Sequence, residues 1–233
     1  MPTEILGLDV TFMAEILPKL LRAVWVTIQI SFLAVIFGTI AGVFFGSVRV
    51  LGPRPVQRII QVVVNFIRGV PQLIIILIVF YVLPNFGVVF NEFWTGVIAL
   101  TIIAAGYEVE IVRAAVESVD EGQREAALSI GMHRRMAYLQ VVLPQAGRRM
   151  IPPITNELAN TVKSSALLSV IAVNELLKVG NGIINSTFVV YEVLLMMAIM
   201  YVITIGFLLW ISNYLENRVF AFGGSIGLGQ DAR

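Results

Sequence analysis

The 233-residue chain contains no cysteine and a single histidine, His133. The first absence excludes disulfides, thiolate metal sites and a cysteine nucleophile. The second excludes a histidine-based metal cluster, and no metal or other cofactor is expected in the chain itself. Charge is also scarce: 13% of residues are charged and 58% hydrophobic, with a mean hydropathy of +0.89. Soluble domains carry about 25% charged and roughly 45–50% apolar residues, so this composition is that of an integral membrane protein. A net charge of +1 gives no footprint for nucleic acid. No G-x-x-x-x-G-K-[ST] segment is present, so the chain does not cradle ATP phosphates by that route. Residues 1–17 have no basic stretch ahead of an apolar run, and no cleaved signal peptide is expected there.

What is abundant is apolar sequence in long runs. A membrane-spanning helix needs about 20 mostly apolar residues, and five segments qualify. They are Val24–Val48, Ile59–Leu83, Phe93–Val116, the more polar Ile151–Ile171 opened by Pro152-Pro153, and Phe188–Leu215. The expected fold is therefore all-α and polytopic, with about five transmembrane helices. Gly38, Gly42 and Gly46 recur every four residues, a spacing that lets two helices approach closely. Arg49, Arg54 and Arg58 follow the first span, and Arg124, Arg134, Arg135, Arg148 and Arg149 follow the third. The excess of basic residues places these links in the cytoplasm and the N-terminus outside. Lys163 and Lys178 bracket an external link. Ile16, Leu17, Leu20 and Leu21 suggest an amphipathic helix lying at the membrane interface. The expected organisation is residues 1–22 outside, 23–217 in and between the spans, and 218–233 as a loose cytoplasmic tail.

Between spans three and four lies a polar stretch that lipid does not require. Ser118 with Glu121 forms a possible capping box, which would start a helix near Val119. Ala126, Ala127 and Ile130 give that helix a small apolar face. Gly131 suits the position past its end, where positive φ carries no steric penalty. A second short helix, Met132–Val142, is expected to stop before Pro144. Two short helices joined at a glycine make either a docking knob or an ordinary amphipathic loop.

Ionisable residues inside spans are functional candidates, because burying them is expensive. Glu108, Glu110, Arg113 and Glu117 fall in the third span and Glu157 in the fourth, near Asn156 and Asn160. Glu110, Arg113 and Glu117 suit one neutralised stripe at i, i+3 and i+4 spacing, while Glu108 points off it. Glu108, Glu110, Glu157 and Asn160 are the candidate substrate-path residues; interhelical hydrogen bonding is the competing role for each. Gly69 and Pro71 interrupt the second span, as a gating kink, a broken helix or a packing kink. Gly223–Gly227 spells G-x-S-x-G, but a glycine-rich tail lacks the strand–turn–helix that such an elbow needs. Met196, Met197 and Met200 are expected to pack.

Glu125-Ala126-Ala127, then Gly131, then Val141-Val142-Leu143-Pro144 resembles the EAA loop of bacterial ABC importer permeases, with Val141 where isoleucine is usual. Phe66-Ile67-Arg68-Gly69-Val70-Pro71-Gln72-Leu73, Gly106-Tyr107-Glu108-Val109-Glu110-Ile111-Val112-Arg113 and Lys163-Ser164-Ser165-Ala166-Leu167 resemble further signatures of the polar amino-acid branch. The resemblance covers nearly the whole chain. It implies a type I ABC importer permease fold, in which Glu125, Ala126, Ala127, Gly131, Leu143 and Pro144 belong to a coupling element of residues 118–146. It also implies a bacterial inner-membrane location and translocation of polar amino acids, with no catalysis by this chain. The implied partners are cytoplasmic ATPase subunits that bind the ATP, a second permease copy in a homodimer or heterodimer, and an extracytoplasmic solute-binding protein. The rival reading is an ion-coupled secondary transporter, with the buried glutamates carrying protons or sodium.

Overall fold

The computed structural model describes residues 4–5 and 8–220, with side chains from Asp9 to Tyr214. The tail holding Gly223–Gly227 lies outside the described residues. Two short paired strands, Glu4–Ile5 and Leu8–Asp9, come first, and the regular structure of the other described residues is helical. Helix α1 spans Val10–Leu51, its first turn capped by Asp9, which accepts from the Phe12 amide at 3.0 Å. It is followed by α2 (Arg54–Gly69), α3 (Gln72–Val82) and α4 (Glu92–Glu117). Then come α5 (Glu121–Ser129), α6 (Arg134–Ala137), α7 (Leu143–Ser164), α8 (Leu176–Thr187) and α9 (Tyr191–Phe220). Among the described residues, α1, α4 and α9 are unbroken helices long and apolar enough to cross a membrane. Two bent pairs supply the remaining expected spans.

The glycine stripe works as its spacing implies. A Cβ on Gly38, Gly42 or Gly46 would come within 2.9 Å of Ala104, 2.7 Å of Glu108 and 2.6 Å of Val112. Both helices advance by four residues per contact, so α1 and α4 run side by side with backbones nearly touching. This pair is the spine of the fold. Ile30, Ala34, Leu100 and Ile103 continue its core towards Ile76 and Leu168.

Several sequence-based expectations need correction. No separate interfacial helix precedes the first span: its residues form the first turns of α1. Ile16 and Leu20 are one turn apart and bury against Leu176, Ile183, Val193, Met196, Met197 and Met200, because α8 and α9 offer an apolar face there. Of the alternatives held open for the second expected span, the broken helix is the one observed. Helix α2 meets the α3 segment at 106°. Val70 is extended (φ −93°, ψ 139°) because a residue before proline avoids the helical region, and Pro71 opens α3. Gly69 has no crowding around it, so the break belongs to Val70–Pro71.

The fourth expected span also starts earlier than its prolines suggested. Pro152 and Pro153 lie inside α7, which begins at Leu143. The carbonyls they leave without in-helix donors, those of Arg148 and Arg149, belong to exposed residues that water reaches. A 3-10 stretch, Ser165–Ile171, and a left-handed Ala172 (φ 64°) then turn the chain into α8 at 50° to the preceding segment.

Candidate functional site

The polar segment between α4 and α7 is locally tied at almost every joint. Ser118 ends α4 instead of starting the next helix: its hydroxyl donates to the Ala115 carbonyl at 2.7 Å, and Arg149 of α7 donates to the Ser118 hydroxyl at 2.8 Å. Asp120 is the cap of α5, accepting from the Gly122 amide at 2.8 Å. The expected capping box is therefore displaced by a nearer carboxylate, and the helix begins at Glu121. Gly131 lies at φ +87° just past α5, as its position implied. The Gly131 amide donates to Leu128 O at 3.0 Å and the Met132 amide to Ala127 O at 3.1 Å. These two bonds close the helix end in a Schellman motif, which a side chain at Gly131 would strain.

His133 caps α6, its Nδ1 accepting from the Met136 amide at 3.3 Å. The second short helix does not stop before Pro144. It passes through a π turn, Tyr138–Val142, directly into α7, with Pro144 in the first turn. Across that turn the Leu143 amide donates to the Tyr138 carbonyl, five residues back. Near the helix start the missing proline donor matters little.

This segment is also fastened to the spans. Val119, Tyr138, Val142, Ala146 and Met150 pack with Val112 and Ala115 of α4. The Tyr138 hydroxyl donates to Ser47 Oγ of α1 at 2.9 Å, and Gln145 Nε2 donates to Gln123 Oε1 at 3.4 Å. Of the expected apolar face of α5, Ala127 turns inward and is buried, whereas Glu125, Ala126, Leu128 and Ile130 are exposed. Among the described residues, the Glu125 carboxylate has no partner. A small, rigid, half-apolar knob with a free carboxylate therefore projects from the helical bundle.

A second feature lies among the spans. Gln72 at the start of α3, Tyr107 on α4, and Glu157, Asn160, Lys163 and Ser164 on α7 line a pocket of about 280 Å³. Asn160 Nδ2 donates to Glu157 Oε2 at 3.4 Å. The Arg68 guanidinium lies 5.4 Å from the centre of the Tyr107 ring, a cation–π contact. Arg68, near the end of α2, thus touches a pocket residue, while Gln72 lines the pocket from the start of α3 on the other side of the break.

Of the four expected path residues, Glu157 and Asn160 line this pocket and Glu108 and Glu110 do not. Glu110 bonds Arg49 of α1 and Arg113 Nε, the latter at 2.8 Å, and Arg113 also pairs with Glu117. The expected stripe forms and extends across to α1. Glu108 is fully buried against Gly42, and neither of its oxygens has a normal hydrogen bond. Lys163, placed by the sequence in an external link, belongs to α7 and the pocket. Gln72, Tyr107 and Ser164 were not singled out as site residues, and neither was Glu175, which is buried at the start of α8. Its carboxylate accepts from the Leu177 and Lys178 amides at 2.9 and 2.6 Å and from Tyr201 at 3.1 Å. Gln72, Tyr107 and Ser164 each fall inside one of the quoted signature stretches, which was the available signal for them.

Residues 38–221 match the family described as binding-protein-dependent transport system inner membrane component. The chain is 36% identical over 194 residues to the probable glutamine ABC transporter permease protein GlnM of Bacillus subtilis (strain 168), covering 83% of this chain and 89% of that one. It is 34% identical to the L-cystine transport system permease protein TcyB of the same organism, over 87% of this chain and 83% of the relative. A crystal structure of an amino acid ABC transporter with histidines superposes at a TM-score of 0.83 with 31% identity, over 91% of this chain and 99% of the other. An inward-facing structure of the MetNI methionine ABC transporter superposes at 0.78 over 88% and 98% of the two chains; at 20% identity it speaks to the fold alone. The knob, the broken spans and these likenesses agree: the chain belongs to the binding-protein-dependent transport system inner membrane component family and is a multi-pass permease subunit of an ABC importer.

Proposed function

We propose that this permease carries polar amino acids and holds the amino acid's own zwitterion in the pocket between α3, α4 and α7. The observation that carries this reading is the mixed lining: a carboxylate, Glu157, and an ammonium, Lys163, share one small cavity with Asn160, Gln72 and Tyr107. Glu157 suits the α-ammonium and Lys163 the α-carboxylate, each as a charge-assisted bond. The two stand six residues apart on α7, ~9 Å along its axis. Relatives named for glutamine, cystine and arginine differ in side chain and share this zwitterion. Family membership sets aside the ion-coupled reading.

ATP is bound and hydrolysed by a separate subunit, which α5 engages through Glu125, Ala126 and the exposed Leu128 and Ile130. The assembly contains two permease chains, two ATPase subunits and an extracytoplasmic binding protein, with the N-terminus outside and the arginine-rich links inside. Closure of the ATPases pushes the knob. The π turn and the Arg149–Ser118 contact pass that displacement to α7 and α4, which bear the pocket. The chain contributes no covalent chemistry.

Binding of labelled glutamine, cystine and arginine to the purified permease–ATPase complex tests the pocket. At least one should bind, and both Glu157→Gln and Lys163→Met should weaken it. Unchanged binding in both variants would move the site elsewhere.

A further inference from the structure

A second concavity, of about 870 Å³, runs along α1 beside the joint between α6 and α7. Ile40, Phe44, Val48 and Leu51 form one stripe of its wall and Leu139 faces them from the π turn. Ile40 and Phe44 are 64% and 61% exposed, although both are large and apolar. At one end stand Arg134 and Arg135. Both are exposed, and neither guanidinium has an ion pair or hydrogen bond among the described residues. No acidic residue lines the groove, in contrast to the neighbouring cavity, which Arg134 also borders and which Glu117, Asp120 and Glu121 line. Of the groove's two hydroxyl-bearing residues, Thr39 and Ser47, the latter is already engaged by Tyr138.

Length identifies the occupant. Ile40 to Leu51 is twelve residues, eleven rises and ~17 Å of helix. One leaflet's share of the hydrocarbon core is about 15 Å. Helix α1 ends at Leu51 and its cap Gly52 opens the first basic link, so with the orientation proposed above the groove matches one leaflet in length, the two guanidiniums at its headgroup end. We propose that this groove is a binding site for an anionic phospholipid, with an acyl chain along Ile40–Leu51 and the phosphate held between Arg134 and Arg135. A peptide would need backbone partners, and the groove offers few. A neutral lipid would leave Arg135, which borders no carboxylate-lined cavity, without a counter-charge. Because Arg134 directly follows the cap of α6, the lipid would brace the segment that joins the coupling knob to α7.

The test is native mass spectrometry of the intact permease–ATPase complex after incubation with equal phosphatidylglycerol and phosphatidylcholine. Wild type should retain phosphatidylglycerol by roughly tenfold over phosphatidylcholine, since each basic residue near a headgroup favours an anionic lipid. The double variant R134Q/R135Q should lose that preference, and R134K/R135K should keep it. Leu139→Trp, which narrows the groove and leaves both charges, should lower phosphatidylglycerol retention. Equal retention of the two lipids by wild type would overturn the proposal. So would a preference that survives R134Q/R135Q, or retention unaffected by Leu139→Trp, which points to a free-anion site. Loss of the ATPase subunit from R134Q/R135Q with lipid preference intact would assign the arginines to the ATPase and equally overturn it.

Discussion

The coupling segment and the intramembrane pocket treat their polar groups in opposite ways. In the coupling segment, Asp120, Gly131, His133, Gln145 and Arg149 each close a local hydrogen bond, and Glu121 pairs with Arg124. In the pocket, Glu157 has one long bond to Asn160, while Gln72 and Lys163 have none among the described residues. Glu108, behind it, has no normal hydrogen bond at all. Apart from the outward Glu125, Arg134 and Arg135, the segment's groups satisfy one another, so it keeps its shape under load and transmits displacement. A pocket with unspent charges is completed by what enters it. The first is a mechanical part, the second a receptor.

That contrast can be broken at either end. The largest effect is expected at Gly131, whose φ of +87° suits a residue without Cβ. Gly131→Asp should abolish coupled uptake and substrate-stimulated ATP hydrolysis while the chain still inserts and binds amino acid. Gly131→Asn, better tolerated in left-handed backbone, should retain most activity. Both outcomes are read by ATPase assay and substrate binding on one preparation.

Next come Glu157→Gln and Lys163→Met. Each removes a charge-assisted bond worth about 1.5–3 kcal/mol, so half-saturating amino acid should rise roughly tenfold to a hundredfold. ATPase docking should be unchanged. A fall in docking instead would mean that the pocket and the knob are not separable parts.

Gly42→Leu addresses the spine. Its Cβ would come within 2.7 Å of Glu108 Cβ, and such overpacking costs about 1–3 kcal/mol, measurable as a lower melting temperature in detergent. Asp120→Ala should cost about 1 kcal/mol by uncapping α5, visible as a modest loss of ATPase stimulation. The smallest effect is predicted for Glu108→Leu. Replacing a buried carboxyl that lacks a normal hydrogen bond by an apolar group of similar size removes the cost of burying it, so the melting temperature should hold or rise.

Much of this architecture was legible because it depends on local chemistry. Long apolar runs marked the spans, and a four-residue glycine repeat marked the α1–α4 contact. Gly131 announced a helix end because few other residues tolerate that backbone. What was not legible depends on competition or on tertiary placement. Pro71 signalled a break without giving its angle, since the angle is set by what α2 and α3 each pack against. Ser118 fitted a capping box, but Asp120 stood closer to the free amides. Pro152 and Pro153 suggested a helix start, yet exposed carbonyls let α7 run through them. Lys163 read as a loop cation because only the assembled bundle brings it towards Tyr107 and Gln72.

The most direct test is uptake of labelled amino acid into vesicles holding the permease, its ATPase and binding protein, with ATP at the cytoplasmic face. The account predicts uptake that requires hydrolysable ATP, is lost in Gly131→Asp with binding intact, and in Glu157→Gln needs at least about tenfold more amino acid, with ATPase docking intact. Uptake without ATP, or undiminished uptake in either variant, would contradict it.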